Sequence, residues 1–586
     1  MGTSSYVCVN EQKCIRTYDR QLLIASDSNT SHIFHNLNHC RLLCGKYGAL
    51  WPKPTGTVIL SKNTIEIDPY NIRFHLNEKN HSNAVVSFFN EIQHYFFKNI
   101  YQESKHICSQ NASLTVKVNV STDDTKLTWS TYEGYKLSLS MDRLDASVAM
   151  IEAETIFGVR HAIETLSQLM VTVRNEIGNK TCSILYLLKE ATLRDQPAYA
   201  HRGVLIDTAR NYIPIKILRK QLEAMASCKM NVLHWHITDT QSFPVVLELV
   251  PEASAFGAYS AEAIYTQKDI EDLAQYAKYL GIRIILEFDA PSHAGNGWQW
   301  GPSRGLGDLA LCINQQPWRS FCIEPPCGQL NPANPNMYNV LQQLYWNFAS
   351  MNNEEDILHM GGDEVFFGCW NASEEIVNYM RDRGIGQTDN GFLELWNEFQ
   401  NKSLQLWDNA RFQSNPNTKE NFIPAPVILW SSQLTEPSVI QRFLDKSRYV
   451  IQTWLPSESE IPRALQSLGY KLIISTKDAW YLDHGFWGQT TYYAWKKVYQ
   501  NQLPEGKGIL GGEVCVWTEY IDEHSVEGRI WPRAAAAAER LWSNPASKAS
   551  DAEPRFFRHR NRLISRGLNP EAVAPKWCEQ NEYECQ

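Results

Sequence analysis

The segment His359-Met360-Gly361-Gly362-Asp363-Glu364 follows a short apolar run and ends in two adjacent carboxylates. Two glycines let a backbone approach its neighbours closely or take dihedrals closed to other residues. Adjacent carboxylates in a low-dielectric cleft repel, so one is expected to keep its proton near neutral pH and to serve as an acid. The same pair would also suit a helix N-cap followed by an acidic first turn. Other polar and aromatic groups fall at the ends of short β-rich runs: Asp207 and Arg210, His236 and Asp239, Glu287, Asp289 and His293, Trp430, Trp454, Tyr481 and Asp483, Trp517 and Glu519. Strand ends need polar groups to complete their hydrogen bonds, which explains part of this set. It does not explain three Trp at equivalent strand ends, where flat rings could stack on an amphipathic ligand such as a sugar.

These residues must be positioned by the elements that precede them. From about residue 200, β-rich runs at 203–207, 231–238, 283–288, 357–361, 426–430, 449–453, 471–475 and 509–516 alternate with helical stretches such as 215–228, 268–280, 337–352 and 533–542. Eight such repeats predict a (β/α)8 TIM barrel with enlarged loops over 196–586, whose chemistry sits at the C-terminal ends of its strands. No Gly-rich phosphate loop follows the first strand; a doubly wound open sheet is the alternative. Ahead of it, 113–121, 135–140 and 148–154 alternate with period two, while 83–100 and 158–170 have helical periodicity. Residues 50–195 therefore read as a smaller α+β domain with an antiparallel sheet.

The chain has 586 residues, a formal charge of -9, and 19 Trp beside 26 Tyr and 22 Phe. Its apolar content fits a folded chain, and the acidic balance leaves no basic face for nucleic acid. No apolar run is long enough to span a membrane. Residues 1–20 show no apolar signal-peptide core. Cys8, Cys14, Cys40 and Cys44 crowd the first 49 residues, Cys322 and Cys327 bracket four residues, and Cys578 and Cys585 close the tail. The spacings lack zinc-knuckle character and fit short-loop disulfides, hence an oxidising compartment. Glycosylation sequons at Asn29, Asn111, Asn119, Asn179, Asn371 and Asn401 agree with a secreted, extracellular or lysosomal protein.

With these segments in view, the sequence resembles glycoside hydrolase family 20, the β-N-acetylhexosaminidases, and within it the insect chitin-degrading branch. The resemblance covers almost the whole chain and rests on HRGVLIDTAR at 201–210, NVLHWHITD at 231–239, EFDAPSHAG at 287–295, HMGGDE at 359–364, AWYLD at 479–483 and WTE at 517–519. It implies a retaining mechanism in which the substrate's own 2-acetamido oxygen is the nucleophile. Glu364 would then be the acid and base, and Asp363 would orient the acetamido group and balance charge on its nitrogen. Tyr481 would donate to the acetamido oxygen inside walls formed by Trp430, Trp454 and Trp517. Arg210, Glu519 and Asp483 would hold sugar hydroxyls, and Asp239 and His293 would stand behind Glu364. Trp318, Ile323 and Glu324 match the branch's leaving-sugar side, and Cys312 would pair with Cys369. Neither metal nor cofactor is implied, and members are often homodimers.

One departure stands out. The branch carries a long Gly-rich loop with two Trp after its strand-seven Tyr-x-Asp, whereas 485–494 here (GFWGQTTYYA) holds only Trp487. The expected activity is exo-cleavage of terminal β-linked N-acetylglucosamine, or N-acetylgalactosamine, from chitooligosaccharides. An enzyme trimming N-glycan antennae is the nearest alternative. A metal-dependent deacetylase using His234 and His236, and an inactive chitin-binding lectin, stand further off.

Overall fold

The computed structural model describes the chain apart from residues 1–4, 18–32, 78–80, 104–106, 109–111, 143–145, 178–179, 353–354, 415–422, 484, 490 and 586. At the N-terminus, antiparallel strands Ser5–Val9 and Lys13–Thr17 are stapled to helix Leu37–Leu43 by Cys8–Cys44 and Cys14–Cys40. The side chain of Asn36 caps that helix by accepting from the Asn38 and His39 amides.

A six-stranded sheet follows, in the order Val58–Leu60, Ala191–Asp195, Tyr135–Met141, Ser147–Ala153, Leu114–Val120, Ile72–Leu76. The alternating runs form strands as their period predicts, with every second residue of Leu114–Val120 and Ser147–Ala153 buried. The sheet is mixed, however, not wholly antiparallel. Ile72–Leu76 and Leu114–Val120 pair in parallel because helix Asn83–Glu103 carries the chain back over the sheet between them, and Leu114–Val120 also runs parallel to Ser147–Ala153. Helix Ile156–Gln168 is buried along its whole length. Charge pairs cross from this part of the chain to the barrel: Glu133, just ahead of strand Tyr135–Met141, receives both Arg202 nitrogens at 2.9 and 2.6 Å, and Lys229 reaches Asp195 at 2.8 Å.

The barrel strands are His201–Asp207, Val232–Thr238, Arg283–Phe288, Val427–Trp430, Tyr449–Thr453, Lys471–Ile474 and Ile509–Val516, all parallel. The fourth stave is reduced to bridges at His359, which pairs with Glu287 on one side and Ile428 on the other and closes the ring. It is short because Gly361 and Gly362, at φ 63° and 85°, turn the backbone out of the extended region at once.

Period-two alternation then stacks the barrel interior in layers. An apolar layer of Val232, Ile285, Ile357, Ile428, Val450 and Ile473 fills the lower end. Two residues further along come His234, Glu287, His359, Trp430 and Gln452, and beyond those the mouth. The remaining cysteines pair as Cys108–Cys182, Cys312–Cys369, Cys322–Cys327 and Cys578–Cys585, leaving Cys228 and Cys515 buried and unpaired. Sequons at Asn119, Asn371 and Asn401 are exposed, while Asn29, Asn111 and Asn179 lie outside the described residues.

Candidate active site

Asp363 and Glu364 enter the mouth from the two-glycine turn. No helix starts at this pair: the next one, Phe367–Ala372, begins after Phe366, so the capping role is not theirs. Gly361 is obligatory here, since a Cβ at this position would lie 1.7 Å from Asp289 Oδ1. That oxygen accepts the Gly362 amide at 2.9 Å. Glu364 and His293 both hold left-handed backbones, at φ 54° and 53°. Such strain in non-glycine residues concentrates where a side chain must be aimed.

Behind Glu364 stands a chain of hydrogen bonds and ion pairs. His293 Nε2 lies 3.5 Å from Glu364 Oε2 and 3.9 Å from Asp363 Oδ2, and His293 Nδ1 meets Asp239 Oδ1 at 3.2 Å. Asp239 Oδ2 also takes Arg210 Nη1 at 2.9 Å and His236 Nε2 at 3.0 Å. Arg210 is further held by Glu324, at 2.8 Å from Nη2, and its guanidinium lies over the Trp517 ring at 5.1 Å. Glu324 thus reaches into the barrel mouth and touches the same arginine as Asp239. Asp207, beneath, accepts the Ala209 amide and the Thr518 amide and hydroxyl.

On the other side of Asp363, rings gather. Trp430, fully buried, packs with Leu205 and Cys515, and Trp454, Tyr481 and Trp517 close against them. Ring centroids are 5.9 Å apart for Trp430 and Trp517, and 6.2 Å for Tyr481 and Trp517. Trp454 and Glu364 line one cavity of about 330 Å³ together with Ile323, Ser431, Thr435 and Ile461. Among the described residues, the buried atoms Arg210 Nε, Asp363 Oδ1, Asp483 Oδ1 and Trp517 Nε1 have no hydrogen-bond partner, an arrangement suited to a ligand carrying hydroxyls.

An aromatic ridge forms the outer rim. Trp318 and Trp487 lie 6.1 Å apart, Phe486 packs on Trp487 at 4.6 Å, and Tyr520 on Phe486 at 4.9 Å. The short loop after Asp483 therefore still brings a Trp to the rim, opposite the disulfide-pinned 318–327 segment. His234 and His236 face the barrel axis, where their nitrogens meet Glu287, Glu513 and Asp239. A metal there would have to break these buried charge pairs.

The two adjacent carboxylates are shifted in opposite directions. Burial, with the negative charges of Glu364 and Glu287, pushes Asp363 up to about 6. Burial and Asp363 push Asp289 well above the carboxylate range, so Asp289 keeps a proton and hydrogen-bonds Asp363. Glu364 goes the other way: burial raises it, but the nearby charges of His293 and Arg210 hold it below its ordinary value. His293 is raised against its own burial chiefly by the charge and hydrogen bond of Asp239, with Asp363 adding to it. Any ligand that removed solvent from the Glu364 carboxylate would raise it. Burial lifts Asp483 to about 6 and Glu519 to about 8, and lifts Tyr481 well above the phenol range.

Sequence reasoning brought together Arg210, Asp239, His293, Asp363, Glu364, Trp430, Trp454, Tyr481, Asp483, Trp517, Glu519, Trp318 and Glu324, and the structure gathers them at one barrel mouth. Asp207 and Asp289 were legible only as strand-end groups without a role, and Glu287, His359 and Glu513 had none assigned. The signal for these last three was alternation, which places them on inward-facing positions of their strands.

A parallel barrel with paired carboxylates beside an aromatic pocket at its strand ends defines a glycoside hydrolase. The family described as "Glycosyl hydrolase family 20, catalytic domain" matches residues 199–545, and "beta-acetyl hexosaminidase like" matches residues 50–169. The chain belongs to glycosyl hydrolase family 20. It is similar to the chitooligosaccharidolytic β-N-acetylglucosaminidases of Bombyx mori, at 38% identity covering 94% of this chain and 91% of the relative, and of Ostrinia furnacalis, at 36% covering 98% and 94%. Human β-hexosaminidase subunit beta is 34% identical over 74% of this chain and 71% of its own. The fold is shared with the family 20 exo-β-N-acetylglucosaminidase from Vibrio harveyi solved with N-acetylglucosamine (TM-score 0.69, 22% identity, 90% of this chain and 79% of that one).

Proposed function

We propose that this chain is an exo-acting, retaining β-N-acetylhexosaminidase that removes terminal β-linked N-acetylglucosamine from chitooligosaccharides. The observation that carries the reading is that Glu364 and Trp454 line one cavity, while Trp454 packs with Tyr481 and Trp517 against buried Trp430 and the charge of Asp363 reaches Tyr481. A pocket of rings beside a carboxylate suits an acetamido group whose nitrogen becomes positive during reaction, because the rings exclude water and Asp363 supplies the balancing charge.

In the first step the acetamido carbonyl oxygen attacks the anomeric carbon as its bond to the leaving oxygen breaks, and that oxygen takes the Glu364 proton. An oxazolinium ion results, with Asp363 against its nitrogen and Tyr481 donating to its oxygen. Glu364, now ionised, removes a proton from water as the water opens the ring at the anomeric carbon. His293 and Asp239 hold Glu364 in line, and Arg210, Asp483 and Glu519 receive the hydroxyls. Trp318, Trp487 and Glu324 face the leaving sugars. The disulfides support action in a secreted or lysosomal setting.

Incubation with chitotriose beside a biantennary N-glycan ending in N-acetylglucosamine tests the reading. Stepwise release of N-acetylglucosamine from chitotriose at the higher kcat/KM is expected. Faster cleavage of the glycan would move the substrate to N-glycan antennae, and cleavage of neither would refute the activity.

A further inference from the structure

We propose that Glu287, on the barrel axis, is a positioning residue that ties the acetamido pocket to the acid-base group by holding Trp430 with one carboxylate oxygen and His236 with the other. The inference rests on the activity proposed above.

The geometry is specific to the two oxygens. Trp430 Nε1 donates to Oε1 at 2.6 Å, and His236 Nδ1 meets Oε2 at 2.6 Å. From Trp430 the chain of contacts passes directly to the pocket rings. From His236 it passes through Nε2 to Asp239, then through His293 to Glu364. His236 lies between two carboxylates, so both its nitrogens carry protons and it is held as an imidazolium. A carboxylate is needed at position 287 because only two acceptor oxygens can take both donors; an amide offers one acceptor and presents N–H to the other donor.

Other charged or titratable groups surround Glu287. His234 Nε2 is 2.9 Å from Oε2 and links it through Nδ1 to Glu513, while His359 Nδ1 is 3.0 Å from Oε1. Asp289, Asp363 and Cys515 also sense its charge. Its negative charge helps raise Asp363, so removing it should let Asp363 ionise at lower pH. A residue that merely filled the barrel would alter stability without moving that ionisation.

The experiment compares wild type, Glu287→Gln, Glu287→Asp and Trp430→Phe in the full chain. It measures kcat and KM on chitotriose across pH, and affinity for a cyclic thiazoline analogue of the oxazolinium. Glu287→Gln should lose about 10²-fold in kcat, the scale of a misplaced reacting group, shift the acid limb of kcat/KM to lower pH, and bind the thiazoline severalfold more weakly. Should the amide variant not fold, Glu287→Asp keeps the charge yet falls one methylene short of reaching both partners. It should lose turnover and thiazoline affinity with the acid limb in place. Trp430→Phe keeps a ring but drops the N–H, so it should weaken thiazoline binding and leave the acid limb unmoved. Variants at Glu287 that retain wild-type kcat, acid limb and thiazoline affinity, whatever their melting temperature, overturn the proposal. Wild-type protein that neither cleaves chitotriose nor binds the thiazoline refutes the activity and this inference together, whereas active wild type with unmoved variants refutes the inference alone.

Discussion

Adding one methyl group at Gly361 should separate the strain of a backbone from the cost of a collision, and both from chemistry. The φ of 63° at Gly361 costs an alanine about 1–2 kcal/mol. Its Cβ would also lie 1.7 Å from Asp289 Oδ1 and 2.5 Å from Asp289 Cα. The second contact involves backbone, so rotating the Asp289 side chain cannot relieve it, and overpacking of this kind adds roughly 1–3 kcal/mol. Gly362 provides the control: its φ is 85°, yet a Cβ there would meet nothing nearer than Leu429 Cδ2 at 3.4 Å. Gly362→Ala should therefore cost only the backbone share, about 1–2 kcal/mol, and Gly361→Ala about 2–5 kcal/mol. Denaturant unfolding followed by Trp fluorescence measures both, and the difference isolates the collision. Because the displaced group is Asp289, which hydrogen-bonds Asp363, Gly361→Ala should also lose about 10²-fold in kcat under conditions where it remains folded. Equal destabilisation by the two substitutions, or full turnover by Gly361→Ala, would refute the reasoning that Gly361 exists to let Asp289 close on Asp363.

Glu364→Gln should lose about 10² to 10⁴ in turnover on chitotriose while still binding the thiazoline; retention of more than about a tenth of the rate removes Glu364 from the acid role. In the proposed mechanism Asp363 is ionised to balance the oxazolinium, and burial pushes it up to about 6, so kcat/KM should fall as pH drops through that value, and Asp363→Asn should abolish this limb in a pH-rate series. Glu519 has its folded pKa raised to about 8, so its contribution to stability is full below its ordinary carboxylate value and is lost as pH rises towards 8. Melting temperature should accordingly fall across that window, and Glu519→Gln should flatten the slope. Trp318→Ala should raise KM for chitotriose severalfold, with a smaller change for the aryl glycoside p-nitrophenyl N-acetylglucosaminide. Equal losses on both, with a lower melting temperature, would assign the ring to packing.

The repeating β/α pattern, the strand-end positions of Arg210, Asp239, Trp430, Tyr481 and Trp517, and the delivery of Asp363 and Glu364 by two glycines were all legible in the residues alone. These are local properties: a period of two fixes which side chains face the barrel axis, and a glycine pair marks where a strand must stop. The short fourth stave and the mixed pairing of the N-terminal sheet were not legible in the same way. The first depends on how soon the Gly361 turn sets in, and the second on where helix Asn83–Glu103 returns the chain. Pairing of Cys108 with Cys182 across 74 residues, and the meeting of Trp318 with Trp487, join segments whose separation carries no periodic signal.

Which carboxylate of the adjacent pair is raised and which is lowered was decided by tertiary structure alone. Like-charge repulsion between Asp363 and Glu364 is symmetric, so their sequence can say that the two differ but not which way. Asymmetry comes from His293 and Arg210, which lower Glu364, and from burial and the charge of Glu287, which raise Asp363; these groups are brought in by other strands. Electrostatic energy depends on distances through space and on burial, and neither is set until the barrel closes.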